Sequence, residues 1–260
     1  MINGSVATDG NFPMPPSSNL FGKGSVAFVT GGSKGLGYYT ARGLAKKGIT
    51  VIIAARDEAT GQEAATRLAG EEGSPSVEFL KFDGTSQASI DQAVKHITDK
   101  YGKLDILINN AGILGPVMGI EETPEMIRAV YETNVIAPFQ ITKSFLPLLR
   151  KSDHARVVNV SSGMGSLHFN SLPDLSFPPL FAYTSSKTAL NMMTVQFARE
   201  LATDNIKVNS TDPGYCATDI NGNSGPRSAE QGALVTINFA TMDDNGPTGA
   251  FYNEDGRHSW

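Results

Sequence analysis

The stretch SVAFVTGGSKGLG, residues 25–37, decides the fold. Its first half, Ser25 to Thr30, is a short β-branched and apolar run that reads as a strand buried on both faces. Its second half spaces Gly31, Gly35 and Gly37 as T-G-x-x-x-G-x-G, and a helical pattern follows over 35–47. Glycine allows a tight turn and a close approach of backbone to a phosphate, and the helix start behind it offers unpaired N–H groups and the positive end of a dipole. A strand that enters a helix through such a turn opens a βα unit suited to a dinucleotide.

Outward from there the same alternation repeats. Strands are predicted at 50–55, 76–82, 104–109, 156–161, 206–210 and 249–252, and helices at 57–70, 86–101, 124–149 and 182–203. Together with the strand at 25–30 this predicts an α/β fold, a Rossmann-type doubly wound parallel sheet of about seven strands with helices on both faces. No linker or internal repeat divides the chain, so residues 23–260 read as one domain behind a flexible arm at 1–22 that is rich in Pro, Ser, Asn and Gly. Two irregular stretches, 162–181 and 212–231, follow predicted strands, so both are expected at the carboxyl edge of the sheet as walls of a pocket.

The composition excludes several functions. A formal net charge of -5 argues against a nucleic-acid or anionic-membrane surface, and small-molecule partners are expected instead. No run approaches the ~18 apolar residues of a membrane span. The one cysteine, Cys216, and four scattered histidines form neither an internal disulfide nor a metal-ligand cluster, which fits a reducing, cytoplasmic location.

The cofactor reading turns on the end of the second strand. A dinucleotide fold that selects NAD places an acid there to hold the ribose 2′-OH. Here the position is Ala55, followed by Arg56, and Lys34 sits inside the glycine turn. Two cations where an acid would repel a 2′-phosphate favour NADP(H). Farther along, FAYTSSKTAL (181–190) sets Tyr183 and Lys187 one helical turn apart, neighbours on a helix face, so that the ammonium can favour the ionised phenol. An ordinary phenol titrates near 10, so working at neutral pH takes about three units, or ~4 kcal/mol, and a cation ~4 Å away in a medium of dielectric ~20 supplies a similar amount.

TGGSKGLG (30–37), NNAG (109–112), TNV (133–135), NVSS (159–162), YTSSK (183–187) and DPGYCAT (212–218) occur in this order, each at the matching strand end or helix. On these motifs the sequence resembles the classical short-chain dehydrogenase/reductase family over about Gly24 to Tyr252. The longer stretch before Tyr183, the ARD after the second strand and GPTGAFY (246–252) look more loosely like its carbonyl-reductase-like NADPH branch. The resemblance implies an NADPH-dependent oxidoreductase that interconverts a ketone or aldehyde and an alcohol. It implies a catalytic set of Asn134, Ser162, Tyr183 and Lys187, with Tyr183 as general acid/base, Ser162 as donor to the same oxygen and the Asn134 amide holding a water. Ser161 competes with Ser162 for the serine role.

The cofactor set it implies is Gly31, Ser33, Lys34, Gly35, Leu36, Gly37, Arg56, Asp83, Gly84, Asn110, Ala111, Gly112, Pro213, Gly214, Cys216 and Thr218, with Tyr183 and Lys187. FNSLPDLSFPPLF (169–181) reads as an apolar wall, and Leu114, Met164, His168, Phe181 and Tyr215 are the substrate-pocket candidates. Homodimer, homotetramer and monomer all stay open. A noncatalytic NADP-binding sensor is the rival class, and an enoyl reductase is disfavoured because it spaces its tyrosine and lysine more widely.

Overall fold

In the computed structural model, which describes residues 13–71, 76–173 and 177–260, strand β1 (Val26–Thr30) feeds two layers at once. Ala27 and Val29 join the apolar cluster on one face, and Val26 and Phe28 join the cluster on the other. That is the period-two geometry of a strand covered on both sides, and it is why the run carries no polar alternation. β1 pairs in parallel with β2 (Thr50–Ala55) and with β4 (Ile106–Asn109). Beyond β2 lies β3 (Val77–Lys81), and beyond β4 lie β5 (Arg156–Val160), β6 (Lys207–Thr211) and β9 (Phe251–Asn253), all parallel. A two-residue strand, β10 (Gly256–Arg257), closes that edge antiparallel, giving the order β10-β9-β6-β5-β4-β1-β2-β3.

Helices cover both faces. Tyr38 and Leu44 of α1 (Gly35–Ala45), Leu68 of α2 (Glu58–Ala69) and Phe239 of α8 (Ala229–Ala240) pack in the first cluster. Ile97 of α3 (Gln87–Tyr101), Phe145 of α5 (Ala137–Leu149) and Ala198 of α7 (Phe181–Glu200) pack in the second. Among the described residues no helix is long and apolar enough to cross a membrane.

The structure departs from the sequence reading in several places. The sheet has eight strands, the additional one being β10. Helix α8 lies across the end of the stretch read as irregular, announced by a capping box in which Ser228 and Gln231 exchange side-chain and backbone bonds. The helix read over 124–149 is interrupted: α4 (Pro124–Tyr131) passes through a π turn at Glu132–Ile136 before α5 begins. Pro138 has no N–H to give the carbonyl of Asn134, so the regular ladder cannot run through that point and the turn widens. In the described part of the arm at 1–22, Met14 packs against the first cluster. Ser18 donates its N–H to the Thr241 carbonyl at 2.7 Å and Phe21 is buried beneath the Arg156 guanidinium, 5.3 Å from its ring centroid; residues 1–12 lie outside the described residues.

The strand order reverses between β1 and β4, and a cleft at the carboxyl ends of these strands is where this topology receives ligands. Phe28 lies beneath that point with no solvent exposure, its ring 5.1 Å from Phe82 and 5.0 Å from Phe145. Phe28→Ala is expected to lower the unfolding free energy by about 3–5 kcal/mol in urea titration.

Candidate active site

At the reversal of strand order, one threonine and one asparagine bind the ends of β1 and β4 together. Thr30 Oγ1 donates to the Ile108 carbonyl at 3.2 Å and accepts the N–H groups of Asn110 and Ala111 at 3.0 and 3.1 Å. Asn110 Nδ2 donates back to the carbonyls of Thr30 and Gly31 at 2.9 and 3.2 Å. Above this junction opens a cleft of about 540 Å³, lined by Gly31, Ser33, Lys34, Gly35 and Leu36 of the glycine turn, by Arg56, Asp83 and Gly84, by Asn110, Ala111 and Gly112, and by Thr218.

The residues present fit a dinucleotide. The backbone is left-handed at Gly31 (φ 64) and Gly35 (φ 55), which glycine adopts without strain. No side chain caps the start of α1 and no acid stands in its first turn, so its N–H groups face the cleft undischarged, the arrangement that receives a phosphate. Gly37 does not line the cleft. A Cβ there would lie 2.2 Å from the Gly31 carbonyl oxygen and 2.5 Å from Asn110 Nδ2, so this glycine lets α1 close on the turn.

The charges that the sequence assigns to the ribose are partly committed. Arg56 lines the cleft, and no carboxylate lies within 4 Å of it among the described residues. Asp57, next to it, caps α2 by accepting the Thr60 N–H at 2.8 Å. Lys34 reaches across the mouth to Asp219, 2.5 Å away, an exposed pair that contributes little to stability. The Asp83 carboxyl is held below its ordinary value by the N–H and hydroxyl of Thr85.

The cleft runs into a second cavity of about 720 Å³, since Leu36, Asn110, Gly112, Thr218 and Ile220 line both. Ser162, Tyr183 and Lys187 all face this second space. Helix α7 brings Tyr183 and Lys187, and its start is fixed from a distance: the Glu122 carboxylate accepts the N–H groups of Phe181 and Ala182 at 3.1 and 2.8 Å. Gly165 lets the loop after β5 lie against the helix, because a Cβ there would meet the Lys187 backbone at 2.9 Å.

Lys187 Nζ donates to the Val160 carbonyl at 2.8 Å and stands 5.8 Å from the Tyr183 ring centroid, with no hydrogen bond to the phenol. Burial pushes the phenol up to about 12; the Ser162 hydroxyl pulls it down and the Asp212 carboxylate pushes it farther up. Burial takes the lysine down to about 8 against the pull of Asp212. Lys187 is thus not among the groups that move the phenol, and desolvation outweighs the pull of the Ser162 hydroxyl.

Ser162 Oγ accepts the Met164 N–H at 3.2 Å, whereas Ser161 Oγ is buried with no hydrogen-bond partner among the described residues. The Asn134 amide is largely committed to positioning. Its oxygen accepts the Ile113 N–H at 2.9 Å, and its two hydrogens go to the Ile113 carbonyl at 2.9 Å and to Ser186 Oγ at 3.1 Å, which leaves one oxygen lone pair for a water. Ser186, given no role by the sequence, thus links Asn134 to α7, and its own proton goes to the Tyr183 carbonyl at 2.7 Å.

Of the pocket candidates, Leu114, Met164 and Tyr215 line the cavity. His168 and Phe181 do not. Their neighbours Phe169, within short helix α6 (Leu167–Asn170), and Leu180, just before α7, do. Pro213, Gly214 and Cys216 line this cavity rather than the nucleotide cleft. They lead into a small two-stranded sheet of β7 (Cys216–Ala217) and β8 (Arg227–Ser228), which Cys216 opens, and Cys216 Sγ donates to the Pro213 carbonyl at 3.2 Å. Phe177, in the stretch read as an apolar wall, also faces the cavity, and sequence reasoning missed Val117 and His258, which do so too.

The family model described as "short chain dehydrogenase" matches residues 25–229. The chain is 32% identical over 300 residues to a (+)-neomenthol dehydrogenase of Capsicum annuum, covering 87% of this chain and 94% of that one. Among solved structures, salutaridine reductase from Papaver somniferum superposes with a TM-score of 0.77 at 29% identity, over 88% of this chain and 99% of that one. An NADPH-bound carbonyl reductase from chicken fatty liver superposes with a TM-score of 0.80 at 28% identity, over 92% of this chain and 100% of that one.

The lowered lysine has a measurable consequence. The native ammonium gives up its proton at about 8 and the unfolded one near 10.5, so between these values the unfolded chain holds more protons and stability rises with pH. Denaturant titrations across that window should show the native chain gaining up to about 3 kcal/mol relative to Lys187→Met; parallel curves would contradict the assignment.

Proposed function

The chain belongs to the short-chain dehydrogenase family, which makes it an oxidoreductase acting between CH–OH and C=O groups, and on that premise we propose that it is an NADPH-dependent reductase of ketones or aldehydes. The observation that carries the proposal is the convergence of Ser162, Tyr183 and Lys187 where the nucleotide cleft opens into the apolar-walled cavity. Bound NADPH supplies the hydride for the carbonyl carbon.

The chain's own groups serve the carbonyl oxygen. Ser162 and Tyr183 are the donors that stabilise the charge developing there, and Tyr183 passes its proton to that oxygen. Burial keeps the phenol in the proton-donating form at neutral pH, the form that reduction uses. Lys187, anchored on the Val160 carbonyl, holds a positive charge over the ring and stands next in line to return the proton. Asn134 borders the same space: a Cβ at Gly112 would lie 3.3 Å from its oxygen and 3.5 Å from Lys187 Nζ.

NADP(H) over NAD(H) is supported by Ala55 in place of an acid and by Arg56 at the ribose end. Lys34 joins Arg56 in this role by exchanging Asp219 for the 2′-phosphate. The NADPH-bound chicken carbonyl reductase supports the same choice.

NADPH oxidation against a panel of ketones, aldehydes and quinones tests the activity, with NADH alongside. Tyr183→Phe is expected to lower kcat by at least ~10²-fold with a much smaller effect on NADPH affinity. Tight NADPH binding without turnover across the panel would replace the reductase with a dinucleotide sensor. Arg56→Ala combined with Lys34→Ala should reduce the preference for NADPH over NADH by ~10-fold or more, the worth of one or two charge-assisted contacts. An unchanged preference would remove the 2′-phosphate assignment.

A further inference from the structure

The reaction cavity contains one charge that the mechanism above does not use. Among the described residues that line it, Asp212 is the only carboxylate, and it is 9% exposed. Its backbone is pinned, the N–H donating to the Tyr252 carbonyl at 2.7 Å, and its Oδ1 accepts the Gly214 N–H at 2.9 Å. Oδ2 accepts no hydrogen bond among the described residues. Lys187 Nζ is turned to Val160, and the guanidinium of Arg227, which packs against Gly214, is paired with Glu254.

The group nearest to Oδ2 is the His258 ring, whose Nε2 is 3.7 Å away, beyond a hydrogen bond. The ring is fixed by stacking on Phe251 at 4.7 Å and by the His258 N–H, which donates to the Phe251 carbonyl at 2.7 Å. Its Nδ1 lies 3.0 Å from the Ser259 carbonyl oxygen. A carbonyl oxygen only accepts, so Nδ1 carries the proton, and in the neutral ring Nε2 is a bare acceptor. The Gly163 backbone passes close to both: a Cβ there would lie 2.8 Å from Oδ2 and 3.4 Å from Nε2.

With the ring neutral, two acceptors stand side by side in an apolar-walled cavity with no donor between them. A carboxylate oxygen that faces an apolar-walled cavity without a protein donor gains a charge-assisted hydrogen bond from a ligand that supplies one. An ammonium meets both acceptors with separate N–H groups and adds the opposite charge. A hydroxyl has one hydrogen and no charge, an alkyl group offers nothing, and a carboxylate is repelled.

We infer that Asp212 and His258 form a binding point for a protonated amine, so that this cavity selects carbonyl compounds that carry a basic nitrogen. The inference rests on the reductase reading above and narrows its substrate class.

The test is a matched set of aryl ketones differing only in an aminomethyl, acetamidomethyl, hydroxymethyl, methyl or carboxylate substituent, compared by kcat/KM. The native enzyme is expected to favour the aminomethyl ketone over the methyl one by ~10-fold or more, with the acetylated amine losing that advantage. In Asp212→Asn the amine-to-methyl ratio should fall toward one and the carboxylate compound should gain relative to the rest. His258→Phe should reduce the same ratio by a smaller factor. Equal ratios in the native enzyme, or a ratio untouched by Asp212→Asn, overturn the inference. If no ketone is turned over, it is the reductase reading that fails, and calorimetric titration with the same compounds still decides the site. Tighter binding of the amine that Asp212→Asn abolishes supports it, and equal binding of the amine and methyl compounds overturns it.

Discussion

The bond pattern between Thr30 and Asn110 fixes the width of everything above it. β1 and β4 lie side by side, but the loops that leave them turn to opposite sides of the sheet, so nothing in the strand ladder itself holds those loops at a set distance. One hydroxyl that accepts two N–H groups, and one amide that donates to two carbonyls, do so instead. Each bond is worth ~1 kcal/mol net, but a buried group left without its partner costs more, so the network specifies one spacing more than it adds stability. Gly37 belongs to the same constraint, because any side chain there would press on both the turn and the amide.

A second polar ladder runs beneath the site. Asn109 Nδ2 donates to Asn159 Oδ1 at 2.8 Å, Asn159 Nδ2 donates to Thr194 Oγ1 at 2.8 Å, and Thr194 meets Ser210 at 2.7 Å. These contacts register β4, β5, α7 and β6 against one another through side chains that are nearly solvent-free. Together with the Glu122 carboxylate at its start, they hold α7 so that Tyr183 and Lys187 meet the end of β5. Apolar packing alone tolerates a helix sliding by a fraction of a turn, whereas directional bonds at both ends of the buried face do not.

The local features were legible in the sequence because local physics encodes them. Continuous β-branched runs mark doubly covered strands, the glycine spacing marks the phosphate turn, and Tyr183 and Lys187 share a helix face by their spacing alone. The capping box at Ser228 and the missing N–H of Pro138 were equally readable, so α8 and the π turn were missed signals rather than hidden ones. The cavity wall was different. His168 and Phe181 were each one residue from the side chains that face inward, an error a short helix makes easily, since one step rotates a side chain by about 100°. Glu122 acts sixty residues from its partner in the chain, and His258 arrives from beyond the last strand of the central sheet. Neither contact leaves a periodic or spacing signal, because both are created by the topology.

That difference separates two kinds of control over the chemistry. The groups proposed to handle the proton sit on elements whose position the sheet dictates, and burial shifts both: a phenol raised and an ammonium lowered because both were taken out of water. The groups that face the rest of a substrate sit on the loop after β6 and on the residues following β10, where the chain is free to vary without disturbing a strand. Asp212 belongs to both kinds at once. It closes the end of β6, its field reaches Tyr183 and Lys187, and one of its oxygens still faces the cavity. A cation placed against that oxygen would neutralise the charge that helps keep the phenol protonated, so the ligand that this carboxylate attracts would itself ease the phenol toward releasing its proton.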